Sequence, residues 1–438
     1  MTDTAGTSSG APEPTATPGA LGPELGATPT GAGVIRRRRR WLRHTSAGVA
    51  VLLVGAAGAG WAAYEKLSGN ITADNDAAAE LARYEKERPT ALVRGAQNIL
   101  LIGSDSRAGN GNAKYGRDSG TERSDTTILL HLAADRRSAT AVSLPRDLMV
   151  DVPSCRRPDG GRTEPMLAMF NYAFQKGGSA CTIRTVEKLT DIRVDHHMVV
   201  DFNGFKEMVD AVDGVQVCLR EPIDDKEAKL KLPAGKVTLD GEQSLGYVRA
   251  RKSIGNGSDT DRMDRQQRFL GALVNKVRGN DVLLNPTKLY PVLDAATSSL
   301  TTDPALASLR GLYDLVRGMR DIPTDQVRFL TVPRTSYVHN ANRDQLVEPA
   351  AQELFARLRA DEPVTVSKDL PEDAAATADT ADTADSVATS SFESDDGDAF
   401  DFSHEDGKPG GKGPAGSSAT PDPAPTFRGN TAAEDTCE

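Results

Sequence analysis

The chain has 438 residues, 38% of them hydrophobic and 5% aromatic, enough for one large domain or two ordinary ones with part of the chain left unfolded. The net charge of −10 belongs to the end of the chain: from Asp361 onward there are 19 acidic and 4 basic residues, and all that precedes is mildly basic, which excludes a nucleic-acid binder with a strongly basic face. Four cysteines (Cys155, Cys181, Cys218, Cys437) with no C-x-x-C pair exclude a zinc ribbon, and six histidines are too scattered for a His-rich metal site.

Residues 1–35 are rich in Pro, Thr, Gly, Ala and Ser and hold too little apolar surface to offset the entropy of ordering. Arg36 to Arg40, Trp41, Leu42 and Arg43 follow, and then the uncharged stretch Thr45 to Tyr64. At about 1.5 Å per residue that stretch covers about 30 Å, one bilayer core. Arginines on its N-terminal side place that side in the cytoplasm. A buried Ala/Gly-rich helix of a soluble protein would need neither the arginine cluster nor the flanking Trp and Tyr. A cleaved signal competes, because Ala57-Gly58-Ala59 suits a signal peptidase and Arg38 to Arg43 resembles a twin-arginine signal. The leader before the arginines is long for a signal peptide, so an uncleaved anchor is expected. Both readings export the chain. The expected layout is a disordered cytoplasmic segment 1–43, a single-pass N-terminal transmembrane helix 44–64, and a charged stalk 65–96 broken at Pro89.

The folded region is expected from about Gln97 to Ala360. Asn98 to Ile102 reads as a buried strand, followed by a Gly-rich polar loop over 103–123. Thr126–Leu132 and Ala139–Leu144 read as an antiparallel hairpin across the short Asp135-Arg-Arg-Ser138 turn. Helices are expected at 166–176 and 180–190, a strand at 196–202, a helix at 204–212 stopped by Asp213-Gly214, and a strand at 215–219. Gly235 to Gly241 reads as a turn leading into a short helix near Tyr247. A long helix begins near Asp261 and ends at Gly279-Asn280. Helices at 286–299, 304–320 and 343–359 and a strand at 327–332 complete the region. Strands alternating with helices give an α/β architecture with a mixed sheet. From Asp361 the chain turns to Ala, Asp, Thr, Ser, Gly and Pro, with a low-complexity run over 376–385, and 361–438 reads as a disordered acidic tail. Removal of 366–438 is therefore expected to leave folding and activity nearly intact.

Two polar clusters carry the candidate chemistry. Asp105 and Arg107 follow the first strand, Arg123 and Asp125 precede the second, and Arg146 and Asp147 follow the third. Strand ends converge at one edge of an α/β sheet, the usual place for a ligand. Arg249 and Arg251 end the short helix, and Asp259, Arg262, Arg265 and Gln266 enter the long one. Positions 262, 265 and 266 share a helical face. Two arginines and a glutamine beside a helix N-terminus suit an anion, and guanidinium groups offer bidentate donors to phosphate. Carboxylates with phosphate oxygens suit Mg²⁺. A set of exposed salt bridges is the competing reading of the same residues. Cys155 in a loop and Cys181 at a helix start bracket helix 166–176, and in an oxidising compartment they are the expected disulfide. Cys155–Cys218 is the rival; otherwise Cys218 reads as a buried thiol and Cys437 as a tail residue.

The motifs Asn98-Ile-Leu-Leu-Ile-Gly-Ser-Asp-Ser-Arg107, Arg123-Ser-Asp-Thr126 and Val142-Ser-Leu-Pro-Arg-Asp147 resemble the opening motifs of the LytR–CpsA–Psr family. Val200-Asp-Phe-Asn-Gly-Phe205, Asp213-Gly-Val-Gln-Val217, Leu239 to Arg251 and Asp259-x-x-Arg262-x-x-Arg265-Gln-Gln267 continue the likeness in order. The resemblance covers about 97–280, read as the catalytic domain; 281–360 resembles, less specifically, the helical C-terminal extension of actinobacterial members, packed on the domain.

The resemblance implies an α/β/α sandwich with a central mixed sheet and a hydrophobic pocket for a polyprenyl chain. It implies an Mg²⁺-dependent phosphotransferase of cell-wall assembly. Such an enzyme moves a glycopolymer from a polyprenyl-pyrophosphate carrier to peptidoglycan through a phosphodiester link. A phosphohydrolase using water, or a non-catalytic lipid-binding scaffold, are the alternatives. By the same resemblance Asp105 and Asp125 match the Mg²⁺ ligands, and Arg123, Arg146, Arg249, Arg251 and Arg262 match the arginines on the pyrophosphate. Asp259, Arg265 and Gln266 match the polar positions around it. Asp261 departs from the family, where many members carry Gly, and His196-His197 departs at positions usually aromatic. Adjacent strand residues point to opposite faces, so these two histidines are not expected to share a metal. Ser104 and Ser106 are read as loop residues rather than nucleophiles, for want of a positioned base.

Overall fold

The structure is a computed structural model that describes residues 32–104, 124–250, 259–279, 286–368 and 425–434. The chain divides into two compact units, residues 1–62 and 63–438. Helix α1 (Ala32–Asn70) passes Tyr64, where the sequence suggested an end. Its segment His44–Asn70, with mean hydropathy 1.6, is long and apolar enough to cross a membrane.

Within the second unit, the apolar runs of the sequence become the middle of a mixed sheet. Among the described residues nine strands lie in the order β1 (Thr72–Ala73), β12 (Leu300–Thr302), β7 (His196–Val200), β2 (Gln97–Ser104), β3 (Ser124–Leu132), β4 (Ala139–Leu144), β13 (Val327–Thr331), β17 (Thr426–Thr431) and β16 (Thr365–Ser367). Strands β2, β3 and β4 are antiparallel neighbours, while β7 runs parallel to β2 and β13 parallel to β4. Ile99, Leu100 and Ile102 are all buried, because both faces of β2 are covered.

On one face, Leu100, Ile102, Leu129 and Val142 pack with Ile183 and Val186 of α3 (Asn171–Thr190) and with Leu354 and Phe355 of a helix at Glu348–Arg359. On the other, Ile99 and Leu132 meet Leu315 of the helix Leu309–Met319, and Ile128, Ala141 and Phe329 meet Ala432 and Leu270. Leu270 belongs to α6 (Asp259–Arg278). The result is an α/β/α sandwich. A side cluster unites α4 (Phe202–Ala211), α5 (Gly241–Arg249), Phe269 of α6 and two hairpins, β8 (Val215–Leu219) with β11 (Gly235–Leu239) and β9 (Ile223–Asp225) with β10 (Leu230–Leu232).

Cys155, beyond β5 (Met149–Val152), is disulfide-bonded to Cys181 of α3. The rival pairing with Cys218 is thereby excluded, and Cys218 is itself disulfide-bonded rather than a free thiol. Helix α3 kinks at Gly177-Gly178, where a Cβ on Gly177 would sit 2.8 Å from that of Cys181 and 2.9 Å from the Arg156 carbonyl. The expected helix at 166–176 starts late, because Met166–Met169 form β6 and pair with β5.

Several boundaries read from the sequence fall elsewhere. The stalk region is part of the domain: β1 joins the sheet, Ala77 and Leu81 of α2 (Asn75–Arg83) enter the core, and the Arg88 guanidinium bonds Glu187 at 2.8 Å and the Val194 carbonyl at 2.7 Å. Residues 281–360 are not an added helical layer, since β12 and β13 are sheet strands within it. The expected helix at 343–359 is a strand, β15 (Asn340–Leu346), then a helix from Glu348 with Pro in its first turn; β15 pairs with β14 (Arg334–Tyr337). Gly235–Leu239, read as a turn, is a strand because β8 offers it a partner. In the region read as a disordered tail, 365–367 and 426–431 are paired strands with Phe427 and Ala432 buried; a neighbouring sheet edge supplies the hydrogen bonds and cover that a local composition does not reveal. The remainder of 369–424 lies outside the described residues.

Candidate active site at the edge of the sheet

Antiparallel pairing sets the end of β4 beside the start of β3, with Thr127 opposite Leu144. Asp125 and Arg146 are thus neighbours at one sheet edge. The Arg146 Nη1 donates to Asp125 Oδ1 at 2.9 Å, and its Nε lies 3.4 Å from Asp147 Oδ2. Both carboxylates and the guanidinium are only part-buried. Arg343 of β15 donates to Asp147 Oδ1 at 3.3 Å, and the Asp344 amide donates to the Asp147 carbonyl at 3.2 Å. The pair read from sequence is therefore braced by a hairpin that the sequence did not point to.

Strands β2, β7 and β13 finish at the same edge: Gly103 pairs with Val200, Ser104 with Ser124, and Thr331 with Ser143. Ser104 is the buried last residue of β2, not a loop residue. After β7, Asp201 caps α4 by accepting from the Gly204 amide at 2.7 Å, which starts the helix at Phe202. The Arg249 guanidinium lies over the Phe202 ring, 4.6 Å from its centre. Arg249 ends α5, a helix begun by a capping box in which Asp240 and Gln243 exchange bonds with each other's backbone.

Helix α6 is fastened to α5 and to the sheet. Arg265 donates to the Ala250 carbonyl, and Gln266 to the Val248 carbonyl at 3.2 Å. Gln267 bridges Ser143 Oγ of β4 at 3.1 Å and Thr331 Oγ1 of β13 at 3.0 Å. Arg262 and Arg265 are buried, 5% and 3% exposed, so the shared face expected at 262, 265 and 266 looks inward. Burial pulls the Arg265 guanidinium below its ordinary value. These contacts bring Asp125, Arg146, Arg249 and the start of α6 around the ends of β3, β4, β7 and β13.

Asp105, Arg123, Arg251 and Ser106 lie outside the described residues, and Asp259 is described only as the first residue of α6. Gln267 was quoted within a motif but given no role, because nothing in a sequence names hydroxyls that arrive from two distant strands. His196 Nδ1 lies 3.2 Å from Asp303 Oδ2 and His197 Nε2 lies 3.2 Å from Asp74 Oδ2, so each histidine pairs with its own aspartate.

Comparison with known proteins adds to this geometry. The model of the LytR_cpsA_psr family matches residues 67–360. The cell wall biosynthesis protein LcpA of Corynebacterium glutamicum is 34% identical over 267 residues, which is 55% of this chain and 51% of that protein. The polyisoprenyl-teichoic acid–peptidoglycan teichoic acid transferase TagT of Bacillus subtilis is 28% identical over 325 residues, 72% of this chain and 93% of that one. The chain spans about half the length of the two Corynebacterium relatives it matches, 51% and 47%. Among solved structures, protein gbs0355 of Streptococcus agalactiae superposes with a TM-score of 0.51 at 21% identity, over 61% of this chain and 87% of that one. That likeness bears on the fold.

Proposed function

This chain belongs to the LytR_cpsA_psr family, and on that premise we propose that it transfers a glycopolymer from a polyprenyl-pyrophosphate carrier to a peptidoglycan hydroxyl. The observation that carries the reading is the Asp125–Arg146–Asp147 cluster at the sheet edge, with Arg249 of α5 over the Phe202 ring just past the end of β7. The teichoic acid and peptidoglycan in the name of TagT support the polymer and the acceptor, and the cell wall biosynthesis in the name of LcpA supports the setting.

In the proposed reaction the hydroxyl oxygen attacks the phosphorus that carries the glycan. The new P–O bond completes a phosphodiester, and the bond to polyprenyl phosphate breaks. The hydroxyl proton passes to a carboxylate, Asp259 or Asp105. Phosphoryl transfer of this kind asks for positioning and charge neutralisation more than covalent chemistry. By the family likeness, Arg123, Arg146, Arg249, Arg251 and Arg262 would neutralise the negative charge that grows on the departing phosphate. Arg265 and Gln266 hold the α5–α6 corner through its carbonyls.

A bound Mg²⁺ is part of the proposal: the part-buried carboxylate of Asp125 is a hard oxygen donor of the kind this ion takes one or two at a time beside phosphate oxygens. Asp125 and Asp105 would hold it, and the bound ion would neutralise phosphate charge. The apolar helix and the arginines before it support a membrane anchor with residues 65–438 outside the cell.

The test is a transfer assay with carrier-linked glycan labelled in its sugar, with and without peptidoglycan oligomers. Label that becomes covalently bound to the oligomer supports the reading. Release of free glycan phosphate at the same rate with or without oligomer makes the chain a hydrolase. Binding of carrier with no turnover makes it a scaffold.

A further inference from the structure

We propose that Arg343, on strand β15, is a positioning residue of the site: its guanidinium occupies the Asp147 carboxylate and so leaves the Arg146 guanidinium to Asp125 and to the anion bound there. The proposal deepens the transferase reading and rests on it for the nature of that anion, a pyrophosphate.

Asp147 follows Arg146 directly in the chain. Its carboxylate lies against two guanidinium groups at once. Oδ2 is 3.4 Å from Arg146 Nε, and Oδ1 accepts from Arg343 Nη1 at 3.3 Å. The Arg146 Nη1 meanwhile donates to Asp125 Oδ1 at the shorter distance of 2.9 Å. Two carboxylates thus compete for Arg146, and Arg343 engages one of them. In this group of four, two acids balance two bases. Without Arg343 one negative charge is left over beside the arginine that has to attract phosphate. The stranded Asp147 would turn both oxygens to its neighbour as a bidentate acceptor and draw Arg146 away from Asp125. All four groups are part-buried, where charges are screened less than in bulk water.

As a brace, a half-exposed ion pair is worth little, and the hairpin does not depend on it. The Asp344 amide donates to the Asp147 carbonyl at 3.2 Å, and Leu148 and Asp344 form a parallel bridge. The Asp344 carboxylate pairs with Arg334 of β14, and Leu346 packs on the core of the α3 face. Backbone and apolar contacts therefore bring Arg343 to Asp147 from 196 residues away. The Arg343 side chain adds a placed charge to a hairpin that is already seated.

The test titrates full-length protein in detergent with polyprenyl pyrophosphate in the presence of Mg²⁺, with transfer and melting temperature measured on the same preparations. Arg343→Gln should weaken binding about fivefold and lower kcat about tenfold, at an unchanged melting temperature. Arg343→Lys keeps the charge and should bind within about twofold of wild type. The decisive variant combines Arg343→Gln with Asp147→Asn: removing the stranded carboxylate should return most of the lost binding and kcat, which the repair of a lost brace would not do. Arg343→Gln protein that binds and turns over like wild type overturns the proposal. So does a folded double variant no better than Arg343→Gln, or a fall in melting temperature that accounts for the lost activity. A wild type that binds the carrier and transfers nothing, with the variants ordered as expected in binding, sinks the transferase reading alone. A wild type that binds no carrier sinks both.

Discussion

Helices α3 and α6 are each 20 residues long, pack on opposite faces of one sheet and bury polar side chains, yet they satisfy those side chains in different ways. In α3 the buried threonines turn back on their own helix: Thr182 donates to the Gly178 carbonyl, Thr185 to Cys181 and Thr190 to Val186. In α6 the buried groups reach outward. Arg265 needs Ala250, Gln266 needs Val248, and Gln267 needs hydroxyls from β4 and β13. A helix whose buried hydroxyls are satisfied within it, even with Glu187 turned outward to Arg88 and the Val194 amide, can be a structural wall. One whose buried polar groups depend on other elements carries their positions in its own, and at α6 those elements are the ones that bear the candidate chemistry.

The sharpest way to break this contrast is Arg262→Ala. It should lower transfer by about 10²–10³, the usual cost of one donor to developing charge. Arg262→Lys should rescue only part, since a point charge lacks the planar fork. Because Arg262 is buried, the alanine variant should also melt earlier. Loss of transfer only in proportion to unfolded protein would make Arg262 structural, like the residues of α3.

The α3 side answers to its covalent tie. Cys155→Ser should cost about 2–4 kcal/mol, seen as a lower midpoint in denaturant with kcat of the remaining folded protein unchanged. A large fall in kcat at full folding would show that α3 also serves the site. Gln267→Leu should then cost about 1–3 kcal/mol, by leaving the Ser143 and Thr331 hydroxyls without that donor, and should lower kcat as well. Its counterpart on the other helix, Thr185→Val, should stay within about 1 kcal/mol and leave kcat alone.

The smallest effect is a pH dependence away from both helices. His131 pairs with Asn98 at 2.8 Å and with Asp361 at 2.9 Å. Burial holds its pKa below the ordinary value, with Asp361 opposing. The neutral form is therefore the one that folding favours. Its contribution is present above the unfolded value of about 6.5 and is lost as pH falls through the lower folded value. The melting midpoint should drop on acidification below about pH 6.5, less steeply in His131→Asn. Equal slopes would remove His131 from the cause.

The contrast also explains how much could be read in advance. Strands β2, β3, β4, β7, β8 and β13 were legible because their apolar runs are longer than chance and bounded by turn residues. The capping box at Asp240–Gln243 sits where the short helix was expected. Asp125 and Arg146 could be placed together because strand ends must share an edge. Thr426-Phe-Arg-Gly-Asn-Thr431 could not be seen as a strand: its register is imposed by Phe329 and Leu330, far away in the chain, inside a composition that reads as tail. Gln267 was invisible as a brace for the same reason, its partners lying 124 and 64 residues away. The kink at Gly177-Gly178, by contrast, falls at the break expected between helices 166–176 and 180–190. Local patterns give walls; long-range partners give the site.

The most direct measurement is turnover of Asp125→Ala beside wild type, with melting temperatures taken on the same preparations. Asp125 is part-buried at the sheet edge and joined to Arg146, so its loss should cost little stability. Transfer of carrier-linked glycan to peptidoglycan oligomers should fall by about 10²–10³ at an unchanged melting temperature. An Asp125→Ala protein that is fully folded and transfers at the wild-type rate would contradict the placement of the active site at this edge.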